Sequence, residues 1–399
     1  MSNAYTSTGS TTLGGTVGGA GLVQKAYDRL LEFALRAEPL IRSVADKTPA
    51  QQSIPGSTVV LQKYVDLNAA TDTLTETVDP DSVALSTPNT VTITLNEYGN
   101  SVLVTRALEL FSLADVDPAI ANVIAFNLAD SIDKVAMTTL NGGTNVIYGG
   151  STATSTATIT AAATLDSADI RKAVAKLRSA KAAYRKGSLY WTGIHPEVSH
   201  DLRAETGAAG WRDPHNYSTP ENIYAGEIGQ YEGAFFVESP RLYSTKSGAD
   251  QTALTTTAVT VAGVSAAFTF GVASSSVIAA RAEVGDKIAG TGIGASAKIT
   301  ALSTTGSTTT ITVDVANSAA VTATTVVTVT PVTRVFSTIV CGKQALAQAV
   351  AEEPHVVIGP VVDKLMRFRP MGWYGVLGFA RYREEALYRL ETGSSIAAL

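Results

Sequence analysis

The sequence DPAIANVIAFNLADSIDKVAMTTLNGG, residues 117–143, decides the fold of this chain. Asp117 suits a helix N-cap, Pro118 suits the first turn, and the Gly-Gly pair at 142–143 ends the pattern. Apolar side chains recur at helical spacing along one stripe, at Ile120, Ile124, Leu128, Ile132 and Val135. A helix from Pro118 to Leu140 would be roughly 35 Å long at about 1.5 Å per residue. The pattern therefore predicts a long structural helix.

Before this helix, two extended segments flank a stretch rich in turn residues. Residues 57–67 and 90–105 have strand patterns, and the second begins with strict alternation of Thr and apolar residues. No Lys or Arg lies between Lys63 and Arg106, whereas the acidic residues of that interval are Asp66, Asp72, Glu76, Asp79, Asp81 and Glu97. A long acidic hairpin cannot supply its own core. We therefore predict an extended hairpin that packs on an adjacent subunit.

The N-terminal residues have a different composition. Residues 1–21 are rich in Gly, Ser and Thr, which predicts a flexible arm. From Leu22 to Pro39 apolar residues recur at helical spacing with charged residues between them, which predicts an amphipathic helix.

After the long helix the sequence alternates between helix and strand patterns. We predict a helix over 166–186, a strand over 188–194, a short helix from Pro196 and a strand over 233–238. Residues 244–335 contain no Tyr or Trp and consist largely of short Thr, Ala, Val and Gly runs, so we predict an inserted β domain over 246–333. Beyond it we predict a strand over 334–340 and a helix around 343–350.

Composition limits the classes of protein that remain. The chain has 399 residues, 45% hydrophobic, enough for two or three packed units of roughly 100–200 residues each. A single cysteine, Cys341, excludes an intrachain disulfide framework and fits a reducing cytoplasm. The net charge of −5 is opposite in sign to that of a dedicated nucleic-acid binder. No apolar window approaches the ~20 residues of a membrane span, and we expect neither a secretion signal nor a membrane partner.

Three motifs contain residue types found in dinucleotide loops, metal sites or nucleophilic centres, and each has a simpler structural explanation. Gly290-Thr291-Gly292-Ile293-Gly294 lacks the spacing and the following helix of a dinucleotide loop, so tight β turns explain it. His195, His200 and Asp201 lack a metal-site spacing, and turn or surface hydrogen bonds are favoured. Cys341 lacks a nucleophile signature, and we expect it to be buried. We therefore predict no catalytic residue, no cofactor and no metal ion.

Two groups of basic residues could make contacts. The densest basic run consists of Arg171, Lys172, Lys176, Arg178, Lys181, Arg185 and Lys186. The simplest interpretation is that these residues form a solvent-exposed helix face. The alternatives are that they contact an acidic neighbouring subunit or packaged DNA. Near the C-terminus, Arg381 and Arg383 alternate with aromatic residues, which favours a protein interface over a surface that stacks nucleic-acid bases.

The order of these elements and several short motifs resemble a known family. The motifs are Leu31–Arg36 (LEFALR), Leu95–Gly99 (LNEYG), Gly226–Gly233 (GEIGQYEG), Gly372–Gly375 (GWYG) and Ala380–Tyr382 (ARY). They resemble the major capsid proteins of tailed bacteriophages, whose fold is shared with the floor of herpesvirus capsids, and specifically the podovirus-type branch.

The resemblance implies an α+β fold with a set order of domains. It assigns 1–50 to the N-terminal arm and helix, 51–106 to an extended hairpin loop over a neighbouring subunit, 107–165 to a peripheral domain with the long helix, 166–245 and 334–365 to an axial domain, 246–333 to an inserted all-β domain on the outer surface, and 366–399 to a return into the peripheral domain.

The resemblance also implies a function and partners. The chain would be a major capsid protein that self-assembles, as hexamers and pentamers, into the icosahedral shell of a virion in the host bacterial cytoplasm. Portal, scaffold and decoration proteins would be further partners, and double-stranded DNA would be loosely enclosed. The residues expected at intersubunit contacts are Asp72, Glu76, Asp79, Asp81, Arg171, Lys172, Lys176, Arg381 and Arg383. One alternative is a phage surface or tail-associated glycan-binding protein, and another is an enzyme that uses His195 and His200.

Overall fold

A computed structural model describes residues 40–47, 57–64, 89–106, 116–150, 153–205, 229–251, 254–264, 269–279, 282–322, 325–360 and 367–396, with a few short stretches between them. The helices are α1 (Val116–Asn141), α2 (Ser167–Ser179), α3 (Pro196–Ala204) and α4 (Ser274–Ala279). The strands are β1 (Asp46–Lys47), β2 (Thr58–Lys63), β3 (Asn89–Thr94), β4 (Asn96–Thr105), β5 (Val146–Tyr148), β6 (Tyr190–Ile194), β7 (Gln230–Tyr231), β8 (Ala234–Glu238), β9 (Ser244–Asp250), β10 (Leu254–Val261), β11 (Thr269–Ala273), β12 (Lys287–Gly290), β13 (Ile299–Thr305), β14 (Thr308–Val313), β15 (Val326–Thr330), β16 (Val332–Cys341), β17 (Leu346–Ile358), β18 (Phe368–Arg381) and β19 (Leu387–Thr392). This mixture confirms the α+β class.

The chain divides into two compact units. Among the described residues, the first comprises those of Tyr98–Ala129 and Pro354–Gly375, and the second comprises those of Ala37–Glu97, Asp130–Glu353 and Val376–Leu399. In the first unit β18 lies between β17 and β4, and its core contains Val104, Ile124, Met371 and Trp373.

A seven-stranded mixed sheet forms the centre of the second unit. Its order is β5-β19-β16-β6-β8-β7, and β9 also pairs with β16. Side chains alternate across a strand, so Phe336 and Val340 of β16 face the cluster that contains α2 and α3, whereas Ile339 and Cys341 face the cluster that contains the end of α1. The sheet is therefore covered by helices on both faces.

The boundaries of two helices differ from the sequence prediction. Helix α1 begins at Val116, so Asp117 lies inside it and is not the N-cap. Helix α2 begins at Ser167, one residue after the predicted start, and Asp166 is its N-cap, with a carboxylate that accepts the backbone N–H of Asp169 at 2.8 Å. Helix α2 ends at Ser179, well before the predicted 186, because Lys181 adopts a φ of 55° and cannot continue a right-handed helix.

The segment expected to be a helix around 343–350 is a strand. Leu346 begins β17, which pairs in parallel with β1 through Asp46 and Ala347. Leu346 is buried in one apolar cluster, and Ala347 and Ala349 are buried in another, so both faces of the segment are covered. Small residues buried on both faces fit a central strand, and their helix propensity is overridden by that packing.

The predicted hairpin is present, but its base packs on its own chain. Strands β2 and β3 pair in register from Thr58↔Thr94 to Lys63↔Asn89. Val59 and Ile93 are buried against Ala347 and Ala349 of the same chain. The prediction that all of 51–106 packs on an adjacent subunit is therefore wrong for the base. Most of the tip, like the N-terminal arm and the helix predicted before Pro39, lies outside the described residues.

The Thr-rich segment forms a second sheet with its own core. The order is β12-β15-β10-β11-β14-β13, and Phe270, Val272, Ile311, Val327 and Val329 are buried in it. One short helix, α4, interrupts the strands. Residues 246–250 and 332–333 belong instead to the β9–β16 ladder of the central sheet, in which Asp250 pairs with Val332 and Thr245 with Val335. The second sheet therefore lies within 251–331, and its location on the outer surface stays a prediction.

Candidate assembly surfaces

Helix α2 presents a basic face to solvent. Ala173, Val174 and Leu177 are buried in the core beneath it. The exposed side chains Arg171, Lys172 and Lys176 are the basic face of α2. Lys172 Nζ lies 3.1 Å from the Asp169 carboxylate, and Lys176 Nζ lies 5.6 Å from the centre of the Tyr388 ring. The structure therefore confirms a solvated helix face, and these cations are accessible to a partner.

The other predicted contact residues divide into three cases. Among the acidic hairpin residues, Glu76 is described and exposed, whereas Asp72, Asp79 and Asp81 lie outside the described residues. Arg381 is used within its own chain: its Nη1 donates to the Thr139 carbonyl at 2.8 Å and its Nε to Glu384 at 2.9 Å. Arg383 is exposed, with its guanidinium 5.8 Å from the Tyr382 ring centre. The described members of this set do not meet at a single site.

A buried acid that the sequence did not single out ties the start of the described chain to α1. Asp133 Oδ1 accepts the backbone N–H of Ile41 at 2.6 Å and of Arg42 at 3.1 Å, and Arg241 Nε lies 3.5 Å from Asp133 Oδ2. Arg241 also binds Asp130. Burial raises the pKa of Asp130, but hydrogen bonds from Lys134 and Arg241 outweigh it, so the net shift is downwards.

A second buried charge cluster, centred on Asp286, joins the Thr-rich sheet to the β9–β16 ladder. Asp286 is fully buried and accepts Lys246 Nζ at 2.7 Å, Val332 N at 3.1 Å and Glu283 N at 2.8 Å. Glu283 also lies 3.0 Å from both Lys246 Nζ and Arg334 Nη2. Hydrogen bonding from Lys246 lowers the pKa of Glu283. The cluster fixes the turn before β12 to the central sheet.

His195, His200 and Cys341 have structural roles. His195 Nδ1 accepts the Glu197 N–H at 3.3 Å as the N-cap of α3, its ring lies 4.7 Å from that of Phe336, and burial lowers its pKa. His200 Nδ1 lies 3.4 Å from Asp201, which in turn accepts the Ser395 N–H at 2.9 Å. Cys341 is fully buried, as expected, and burial raises its pKa to about 12.

The described residues contain neither a metal-binding cluster nor a membrane-spanning helix. No group of three or more His, Cys, Asp or Glu there is arranged to hold a metal ion. No helix in the described ranges is long and apolar enough to cross a membrane.

The first unit carries an open groove with a volume of about 430 Å³. Its lining residues are Gly99, Asn100, Ser101, Val357, Gly359, Pro370, Gly372 and Trp373. Trp373 donates its indole N–H to Asn127 at 2.9 Å, which holds the ring in place. The lining contains no ionisable side chain, so the groove suits packing against a chain segment and not acid–base chemistry.

A family comparison identifies the chain. The sequence model of the family described as "Phage capsid protein" matches residues 37–388. The chain belongs to the phage capsid protein family. The match spans the hairpin, both compact units and the Thr-rich sheet, and it begins just before the first described residue.

Solved capsid structures share the fold of this capsid protein. The capsid asymmetric unit of cyanophage Pam1 is 12% identical, with a TM-score of 0.59 over 94% of this chain and 97% of that one. The capsid of cyanophage P-SCSP1u is 12% identical, with a TM-score of 0.58 over 97% and 98%. The capsid of Ralstonia phage GP4 is 14% identical, with a TM-score of 0.55 over 93% and 95%. No curated protein matches by sequence.

These findings confirm a major structural role in the phage capsid and a location in the virion. The same structural likeness covers capsids of a gene transfer agent particle. The podovirus-type branch stays a prediction.

Proposed function

We propose that copies of this capsid protein, arranged as hexamers and pentamers, close into an icosahedral shell that encloses double-stranded DNA. The observation that supports this most is the family match over 37–388 combined with a shared fold along almost the full length of solved capsid chains. The role is mechanical, and no residue is assigned to catalysis. Assembly takes place in the host bacterial cytoplasm, and portal, scaffold and decoration proteins are further partners that the shell does not require in order to close.

The test is electron microscopy of the full chain after expression in bacteria. Closed shells of uniform diameter are the expected product, because each subunit would carry its own overlapping contacts. Soluble oligomers without closed shells, under conditions where the chain is folded, would contradict the proposal.

We further propose that the acidic hairpin tip contacts the basic face of α2 on a neighbouring subunit. The tip contains Asp79 and Asp81 without a nearby cation in sequence, and the α2 face is solvent-exposed. Complementary charge fixes the register of an interface more than its affinity. The base of the hairpin, packed on its own chain, would hold the strands while the tip reaches outwards.

Charge reversal with compensation tests this contact. Asp79→Lys with Asp81→Lys should reduce shell yield without changing the unfolding midpoint of the subunit. Adding Lys172→Glu and Lys176→Glu restores the net charge and the complementarity, so this matched control should recover shells. Normal yield from the first variant, or no recovery in the second, would argue against the pairing.

The Thr-rich sheet is proposed to lie on the outer face of the shell as a dispensable module. Asp250 and Val332 are paired across the β9–β16 ladder, so the chain leaves and re-enters at adjacent points. Deletion of 251–331 with a short Gly/Ser linker should therefore preserve the ladder. Shells of unchanged diameter without surface protrusions are expected, and a folded subunit that no longer assembles would contradict this placement.

A further inference from the structure

Strand β13 forms an open edge of the Thr-rich sheet. It is the last strand in the order β12-β15-β10-β11-β14-β13. At its start the outer edge is occupied, because Ile299 N donates to the Asp286 carbonyl at 2.9 Å and Gly285 N donates to the Ile299 carbonyl at 2.8 Å. Past Ile299, no strand of the described chain lies beside this edge.

The hairpin geometry identifies which backbone groups point outwards. Strands β13 and β14 are joined by a two-residue turn, and Thr305 and Thr308 form the closing pair. In such a hairpin the closing pair is hydrogen-bonded, and hydrogen-bonded and non-hydrogen-bonded pairs alternate along the ladder. Thr305 and Ser303 therefore bond to β14, while Leu302 and Thr304 direct their N–H and C=O groups to the open edge.

Beyond the register shift between Ile299 and Ala301, this edge has neither the charge nor the proline that normally prevents strand pairing. Residues 300–305 read Thr-Ala-Leu-Ser-Thr-Thr, without charge or proline. Natural edge strands are usually protected by Lys, Pro or short length. The opposite edge strand of the same sheet, β12, begins with Lys287, which is paired with Asp250 at 2.7 Å.

We propose that β13 pairs antiparallel with β13 of a second copy of this chain. The outward backbone groups are self-complementary. When Leu302 of each copy lies opposite Thr304 of the other, the two outward N–H groups and the two outward C=O groups of each strand all find partners. Ser303 then faces its own counterpart across a two-fold axis. The inference rests on the proposed shell, which supplies identical neighbours at high local concentration, and the uncharged segment avoids like-charge repulsion in a chain of net charge −5.

Cysteine crosslinking tests this register. In this register, Ser303 of one copy and Ser303 of the second copy form a non-hydrogen-bonded pair with Cα atoms about 4.5 Å apart. This distance lies within the range of about 4.4–6.8 Å that disulfides span. Thr310 is the exposed neighbour of Ser303 on β14. Thr310 of one copy would lie about 14 Å from Thr310 of the second copy, because three strand spacings separate them. Thr310 is therefore the matched control. Cys341 is fully buried and leaves the introduced thiol as the reactive one.

Purified particles of Ser303→Cys, oxidised with copper phenanthroline, should give at least tenfold more disulfide dimer on non-reducing gels than Thr310→Cys. Equal dimer yields in closed shells would overturn the inference and leave the proposed shell intact. If no shells form, the proposed shell fails, and the same comparison on the soluble protein decides the pairing separately. More disulfide dimer from Ser303→Cys than from Thr310→Cys supports the β13 pairing, and equal dimer yields from the two variants overturn it. A crosslink from 303 to a different protein would also overturn it.

Discussion

Replacement of Asp286 by Ala should loosen the Thr-rich sheet from the central sheet without unfolding the rest of the chain. The carboxylate accepts one ammonium and two backbone N–H donors, at Lys246, Val332 and Glu283. Each buried N–H left without an acceptor costs about 1–3 kcal/mol, and removing one partner of a buried ion pair costs about 3–5 kcal/mol. Because Lys246 keeps Glu283 as a partner, we expect a local loss of about 4 kcal/mol.

Hydrogen exchange of the unassembled subunit, followed by mass spectrometry, measures this loss. A change of about 4 kcal/mol corresponds to nearly a thousandfold faster exchange, at roughly 1.4 kcal/mol per factor of ten, in peptides covering β12 and the start of β16. The three Trp residues lie at 191, 211 and 373, all outside the Thr-rich segment. Their fluorescence should therefore show an unchanged unfolding midpoint.

A matched control is the exposed ion pair between Lys287 and Asp250, 2.7 Å long with side chains 39% and 46% exposed. Asp250→Ala should change protection by less than about 1 kcal/mol, because exposed pairs contribute little. Adding Lys246→Met to Asp286→Ala should be less harmful than the sum of the single changes, since contacting residues couple by about 0.5–3 kcal/mol. Unchanged exchange in Asp286→Ala, or a loss shared equally by the whole chain, would refute the reasoning.

Three further predictions follow from buried and paired groups. Asp133→Ala should lower the free energy of unfolding by about 3 kcal/mol, because two backbone N–H groups lose their acceptor and Arg241 loses one of its two carboxylate neighbours. Lys134→Ala is the control in the same urea titration; its side chain is 74% exposed, so the change should be less than about 1 kcal/mol. The pKa of Glu283 is lowered from its ordinary 4.5, so its ion pairs should stabilise the fold above pH 4.5 and lose this effect as the pH falls through the lowered pKa. Wild type should therefore be more stable than Glu283→Gln at pH 6, and this difference in the free energy of unfolding should disappear on acidification. A difference that persists at low pH would contradict the assignment. Cys341, with its pKa raised to about 12, should resist maleimide between pH 7 and 9 until the chain is unfolded, and rapid labelling of the folded subunit would count against its burial.

Local periodicity determined much of the fold before any contact was known. The apolar stripe of α1, the helical period that begins at 166 in α2 and the alternating Thr pattern of β3 depend on residues a few positions apart, and the structure confirms each element. The resemblance, based on short motifs and element order, likewise gave the family correctly.

Tertiary contacts decided what local pattern could not. The segment at 343–350 is a strand because Ala347 and Ala349 are covered by the hairpin base, whose residues lie far away in sequence. Asp133 resembled an ordinary polar position of an amphipathic helix, yet it binds backbone groups 92 and 91 positions away.

Asp286 is the clearest case of this limit. The sequence Val284-Gly285-Asp286-Lys287 indicates only a turn, and the donors Lys246 and Val332 lie 40 and 46 positions from the carboxylate. Sequence therefore determined most of the elements, because helices and hairpins form from neighbouring residues, but not the strand at 346–358. Only the tertiary structure determined which charges are buried, because burial depends on chain segments that meet after those elements pack.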